Sequence, residues 1–251
     1  SLFVFVLWSF AFLRMGTTAL IAQNAGKHSI GSSRTPFNIH ENAILHCALI
    51  LAALLGFILL LGSPLLISIM LELTAAVDDI SPLAEEYLQI RFYFAPITLL
   101  NYALLGYFIG LGKTKITLML LVTTNILNGL LDYLFVYHLN LNSAGVAYAS
   151  NISELFQMSW AIYFARSAIF KWQTLHTLKT HFHGFLNLNV QLFIRTFFLL
   201  FTFAYFMSVG AQHSAALLSA NAILFNLLIF ISNALDGFAL ASESMVGKAY
   251  G

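Results

Sequence analysis

Ile116 to Tyr137 reads ITLMLLVTTNILNGLLDYLFVY. The stretch is long enough to cross a bilayer as a helix, which takes about 20 mostly apolar residues. It carries one acid, Asp132, near its far end. A charge well inside hydrocarbon costs about 2.5–3.5 kcal/mol on insertion scales. Thr124, Asn128 and Asp132 recur every four residues and so share one helix face, with Thr117 two turns before Thr124 on nearly the same stripe. Ile, Leu, Val and Phe cover the rest. An acid on a polar stripe of a lipid-like helix points to an ion or proton site facing protein or water. The alternative is an acid that reaches the headgroups from the helix end and does nothing more.

The whole chain has the same character. It has 251 residues, 60% of them hydrophobic and only 8% charged. Soluble domains carry about 25% charged residues, so the chain reads as an all-α, polytopic membrane protein. A net charge of +1 gives no basis for nucleic-acid binding. The single cysteine, Cys47, has no disulfide partner within the chain. Beginning at Ser1 within one apolar run and stopping at Gly251 after another is the pattern expected of an internal stretch of a longer protein.

About seven spans are expected: 2–24, 41–70, 87–111, the opening stretch, 144–165, 188–207 and 215–246. In the second, Gly62-Ser63-Pro64 predicts a break, since proline removes a helix donor. The connections alternate in charge. Lys27, Arg34, Lys113, Lys115, Arg166, Lys171, Lys179 and Lys248 fall in alternate loops, while the loop after the second span holds Glu72, Asp78, Asp79, Glu85 and Glu86. By the positive-inside rule the basic loops are cytoplasmic. Arg14, Arg91 and Arg195 lie within predicted spans.

The longest connection, 167–187, divides the chain into a first helical bundle (1–166) and the start of a second (188–251). It holds His176, His181, His183 and Trp172. With no acidic or Cys partner nearby these histidines read as a cytoplasmic interfacial segment rather than as metal ligands. No metal and no cofactor are expected.

Other polar residues recur inside spans. Gly145 and Ala149 form a small-xxx-small pair. Ser150, Asn151 and Glu154 follow, either lining a cavity with Asp132 or packing helices together. Glu154 reads as the weaker site candidate because its sequence neighbours are less polar. Asn226, Asn233, Asp236 and Glu243 form a stripe on the last span. Its acids are candidates for coupling or for pairing with Arg14, Arg91 or Arg195. A weak internal repeat completes the pattern. Gly16–Lys27 (GTTALIAQNAGK) overlays Gly237–Lys248 (GFALASESMVGK) with Gly16/Gly237, Gly26/Gly247 and Lys27/Lys248 identical. Both copies end an apolar span at Gly-Lys, which implies a six-helix repeat and about twelve helices in all.

Four motifs in order resemble the DinF-like branch of the multidrug and toxic compound extrusion (MATE) family: Phe12-Leu-Arg-Met-Gly-Thr-Thr18; Arg91 to Pro96 with Leu105-Gly106; Asn128-x-x-x-Asp132; and Ala234-Leu-Asp-Gly-Phe-Ala239 with Glu243. The resemblance implies a two-bundle antiporter. It would export cationic or lipophilic compounds in exchange for protons or sodium by alternating access, from a bacterial-type inner (plasma) membrane, and act as a monomer when full length. This chain would hold helices two to eight, without the first helix and the last four. Asn128 and Asp132 match the polar pair tied to cation coupling in some members. Thr124, Ser150, Asn151, Glu154, Asn233, Asp236 and Glu243 would line the cavity. The rival readings are a lipid-linked precursor flippase, an inactive structural membrane fragment, and an intramembrane enzyme. The last is disfavoured by the lack of a nucleophile–histidine constellation or HExxH motif.

Overall fold

The computed structural model describes residues 2–30, 39–74, 81–171, 175–213 and 215–250. Arg34, Asp78, Asp79 and Trp172 lie outside them, as do the side chains of Lys27, His176 and Asn233. All regular structure among the described residues is helical: α1 (Leu2–Ser9), α2 (Phe12–Ile30), α3 (Ile39–Thr74), α4 (Ser81–Tyr93), α5 (Ala95–Gly110), α6 (Thr114–Tyr133), α7 (Asn142–Ile169), α8 (Leu175–His213) and α9 (Ala215–Tyr250). A π-helical turn, Leu134–His138, extends α6. Helices satisfy their own backbone groups, as a chain surrounded by hydrocarbon requires.

Among the described residues, four helices are long and apolar enough to span a membrane: His40–Glu72, Thr114–His138, Leu178–Phe203 and Asn226–Ala249. A fifth span is the pair Pro82–Tyr93 and Ala95–Gly110, bent by 52°. The other two predicted spans are helical but do not meet both the length and the apolarity of a span. The first is divided between α1 and α2. The fifth, α7, is 28 residues long but buries Asn151, Ser153 and Gln157. Its polar groups face protein, so composition alone understates it.

The predicted break at Gly62-Ser63-Pro64 does not occur, and α3 runs through Pro64. Proline cannot donate to the carbonyl four residues back, Leu60. The Ser63 hydroxyl donates to that oxygen instead, at 2.8 Å. The bend falls instead at Phe94, just before Pro96 at the start of α5. Residues 175–187 are helical and continue unbroken into the sixth predicted span.

α5 is the centre of the packing. Twelve of its sixteen residues are buried, against α2, α3 and α7 above all. Leu13 and Ile21 of α2, Ile44 and Leu45 of α3, Phe92 of α4, Leu99 and Phe108 of α5 and Phe185 of α8 fill one continuous core. Chain ends next to basic loops gather at one end of the bundle. There His40 at the start of α3 meets His181 in α8, ring nitrogens 2.8 Å apart, and His46 Nε2 lies 3.0 Å from the Ile169 carbonyl at the end of α7. At the opposite end the Ser143 hydroxyl donates to Leu83 O, tying the start of α7 to the start of α4.

Candidate functional site

α6 is poorly enclosed. Only Thr117 and Leu120 are buried, while Leu118, Val122, Ile126 and Leu130 are exposed. Apolar side chains on the open face suit lipid. The polar stripe lies along the edge of the face that packs on α7. Thr124 is half-buried and donates to Leu120 O at 2.7 Å, within its own helix. Asn128 reaches α7, where its amide donates to Ser150 Oγ at 3.3 Å.

Asp132 is half-buried one turn further on. Its Oδ1 is shut away from water with no hydrogen-bond partner in the structure. A buried polar atom without a partner is costly, which makes this oxygen a candidate for a functional role. A carboxylate oxygen in that position can take a proton or help to hold a monovalent cation.

The backbone next to Asp132 is irregular. The π-helical turn begins two residues later, at Leu134, and such turns concentrate at functional sites. Gly145 explains how α7 comes so close. A Cβ there would lie 3.1 Å from Phe135 Cβ, within that turn. No feature of the sequence pattern marks the π turn, because its residues, LFVYH, suit an ordinary helix.

Ser150 shares this site, but Asn151 and Glu154 do not. They face α4 and α5, where Arg91 donates through Nη1 to Asn151 Oδ1 at 2.5 Å and through Nη2 to Glu154 Oε1 at 2.7 Å. Thr98 donates to Glu154 Oε2. Asn151 donates to Ile90 O at 2.9 Å, and Asn101 to the Glu154 carbonyl at 2.9 Å. The sequence neighbours of Glu154 are less polar than those of Asp132, but its hydrogen-bond partners are polar and come from other helices. Thr98 and Asn101 escaped notice because single polar residues in an apolar helix are common. Arg91 forms its ion pair with Glu154 of α7.

On α9, Asp236 is exposed, as is Arg195 on α8. Glu243 is half-buried in a cleft of about 350 Å³ between α2, α8 and α9, with Gln23, Leu20 and Leu188 on its walls. The structure thus brings Asn128, Ser150 and Asp132 to one region, Asn151 and Glu154 to a second, and Glu243 to a third. No group of three or more potential metal ligands occurs among the described residues.

The long apolar helices and the bent pair define a multi-pass helical membrane protein, and solved structures share this fold. A MOP superfamily transporter from Pyrococcus furiosus superposes with a TM-score of 0.86 at 20% identity, over 99% of this chain and 55% of that one. An outward-facing multidrug resistance MATE family transporter gives 0.81 at 19% identity, over 98% and 54%. At these identities the likeness shows the fold.

Sequence shows the family. The MatE family pattern matches residues 1–134. DNA damage-inducible protein F of Escherichia coli (strain K12) is 34% identical over 246 residues, which are 96% of this chain and 52% of that protein. Multidrug and toxin extrusion protein 1 of Mus musculus is 28% identical over 182 residues, 69% of this chain and 31% of that protein. The chain belongs to the MatE family, whose members are transporters rather than enzymes. It spans about half the length of the first of these relatives.

Proposed function

We propose that this chain forms the first helical bundle (1–166) and the beginning of the second (188–251) of a secondary antiporter. The transporter exports cationic or lipophilic compounds in exchange for protons or sodium from a bacterial-type inner membrane, working as a monomer without a prosthetic group. Asp132 is the coupling acid and Asn128 its polar neighbour. The observation that carries this reading is the Asp132 carboxylate oxygen, enclosed and unpartnered beside a π turn.

Binding of a proton or sodium ion there removes the cost of that buried oxygen. A ligand shifts a conformational equilibrium only by its different affinity for the two states. An acid enclosed in one arrangement and opened to water in the other supplies that difference. Thr124 and Ser150 complete the wall of this region, and Glu243 with Asn233 and Asp236 serves the second bundle.

The test is dye efflux from proteoliposomes carrying the transporter with its natural flanking sequence, under imposed proton and sodium gradients in turn. Asp132→Asn is expected to abolish gradient-driven efflux while leaving dye binding measurable. Coupled efflux at the parental rate in that variant removes Asp132 from the mechanism. Whichever gradient alone drives the parent identifies the ion.

A further inference from the structure

The two copies of the weak internal repeat meet in space. Gly26 of α2 lies directly against the backbone of Lys248 in α9, where a Cβ would run into the carbonyl of Lys248. Reciprocally, a Cβ on Gly247 of α9 would come 2.7 Å from Ala22 Cβ of α2. The glycine that each copy contributes at the same repeat position is thus the point where the other helix crosses. Only glycine permits so close an approach.

This seam has a polar fastener. α5 ends in a closed turn in which the Gly112 N–H donates to Ile109 O at 2.8 Å and the Lys113 N–H to Phe108 O at 2.9 Å. Gly112 has φ +71°, the left-handed conformation that favours glycine. Within this turn the Leu111 carbonyl accepts a hydrogen bond from Lys248 Nζ at 3.0 Å. The ammonium occupies the space where a side chain on Gly112 would begin. Ser244, one turn before Lys248, is buried in the same seam. A cation at the carbonyl end of a helix also meets the negative end of its dipole.

We propose that Lys248 is a latch. It is a positioning residue whose ammonium fastens the α2–α9 seam to the end of α5 and holds this end of the molecule shut. The seam joins the two repeat copies, so it must part whenever this end opens. That second step rests on the alternating-access reading above; the latch itself does not. The contact is suited to repeated release. One charged hydrogen bond holds it, and once parted both the ammonium and the carbonyl can be solvated at the bundle end. Lys113 and Lys115 follow Leu111 closely in the chain and add positive charge to this turn, so the closed state depends on the helix-end carbonyl to hold the ammonium.

A cysteine at Ser244 reports on the seam. In the transporter with its natural flanks, carrying Cys47→Ala and Ser244→Cys, the rate of alkylation by N-ethylmaleimide measures opening. With Lys248 present the thiol is expected to be protected. Lys248→Gln is expected to raise the rate about tenfold, the scale of one charged hydrogen bond. Lys248→Arg, which keeps the donor and the charge, should stay within about twofold of the parent. A rate in Lys248→Gln equal to the parent's overturns the latch, and so does a Lys248→Arg rate equal to that of Lys248→Gln. Should Lys248→Gln fail to fold, Lys248→Met decides: it keeps the apolar stem along the seam but removes the donor and the charge. Raised labelling supports the latch, and unchanged protection overturns it. The labelling needs no transport, so loss of the antiport reading and loss of the latch give different results.

Discussion

Two half-buried carboxylates in long helices meet opposite treatment in this molecule. At the junction of α4, α5 and α7, Glu154 receives a guanidinium and a hydroxyl, and Arg91 divides its donors between Glu154 and Asn151. In α6, Asp132 keeps one enclosed oxygen with no partner. The first arrangement fixes three helices in register and leaves little free to react. The second leaves an acceptor whose best partner comes from outside the chain. A carboxylate that the fold ties to donors from other helices is a clamp, and one left with an unused acceptor is where an ion or proton has work to do.

The largest expected effect tests the clamp. The side chains of Arg91 and Glu154 are 7% and 19% exposed, so removing one partner strands a charge in a place with little water. Arg91→Met is expected to destabilise the folded protein by about 3 kcal/mol, read as a lower unfolding midpoint in detergent. Adding Glu154→Gln to that variant should recover about 1–2 kcal/mol, because the stranded charge is gone while the acceptor for Thr98 remains. A double variant no more stable than the single one would show that the pair is not what holds α4 to α7.

The clamp also shows what a single sequence conveys. Hydropathy and loop charge were enough for the helical class and for helices at each predicted position, since both are local properties. The stripe through Thr124, Asn128 and Asp132 was visible because its members share one helix. The clamp was not, because Arg91, Thr98 and Glu154 lie on three helices and nothing local marks them as neighbours. Pro64 failed as a break for a related reason: a hydroxyl one residue away takes over the proline's missing hydrogen bond. The Lys248 contact with Leu111 joins residues 137 apart in the chain, so spacing could not reveal it. The repeat identified Lys248 as an equivalent of Lys27, without identifying its partner.

A second prediction turns on the other half of the comparison. Asp132→Asn removes the charge but keeps the shape, and no internal hydrogen bond to Oδ1 is lost. Its unfolding midpoint should stay at or slightly above the parental value. Gradient-driven efflux should fall at least about tenfold, equivalent to about 1.4 kcal/mol in the barrier. Glu154→Gln should show the reverse weighting, with lower stability and an unchanged choice of driving ion. If Asp132→Asn unfolds the protein as readily as Arg91→Met does, the two carboxylates are both structural and the contrast between them collapses.

The smallest effect sharpens the boundary between the regions. Ser150 and Asn151 are adjacent on α7 but face different partners, Ser150 toward Asn128 and Asn151 toward Arg91. The Asn128–Ser150 bond is long at 3.3 Å, and interhelical hydrogen bonds in membranes are worth about 0.6 kcal/mol on average. Ser150→Ala should therefore cost about that much stability, a shift near the limit of a thermal melt. Asn151→Ala, which takes an acceptor from Arg91 and a donor from Ile90 O, should cost about 2 kcal/mol. The informative measurement is the ion dependence of efflux. Freeing the Asn128 amide leaves it able to turn toward Asp132 one helical turn away, so Ser150→Ala should shift the half-saturating proton or sodium concentration while Asn151→Ala leaves it in place. Equal shifts in both variants would mean that the clamp and the stripe act as one network, with Asp132 reporting on the whole of α7 rather than on its own neighbourhood.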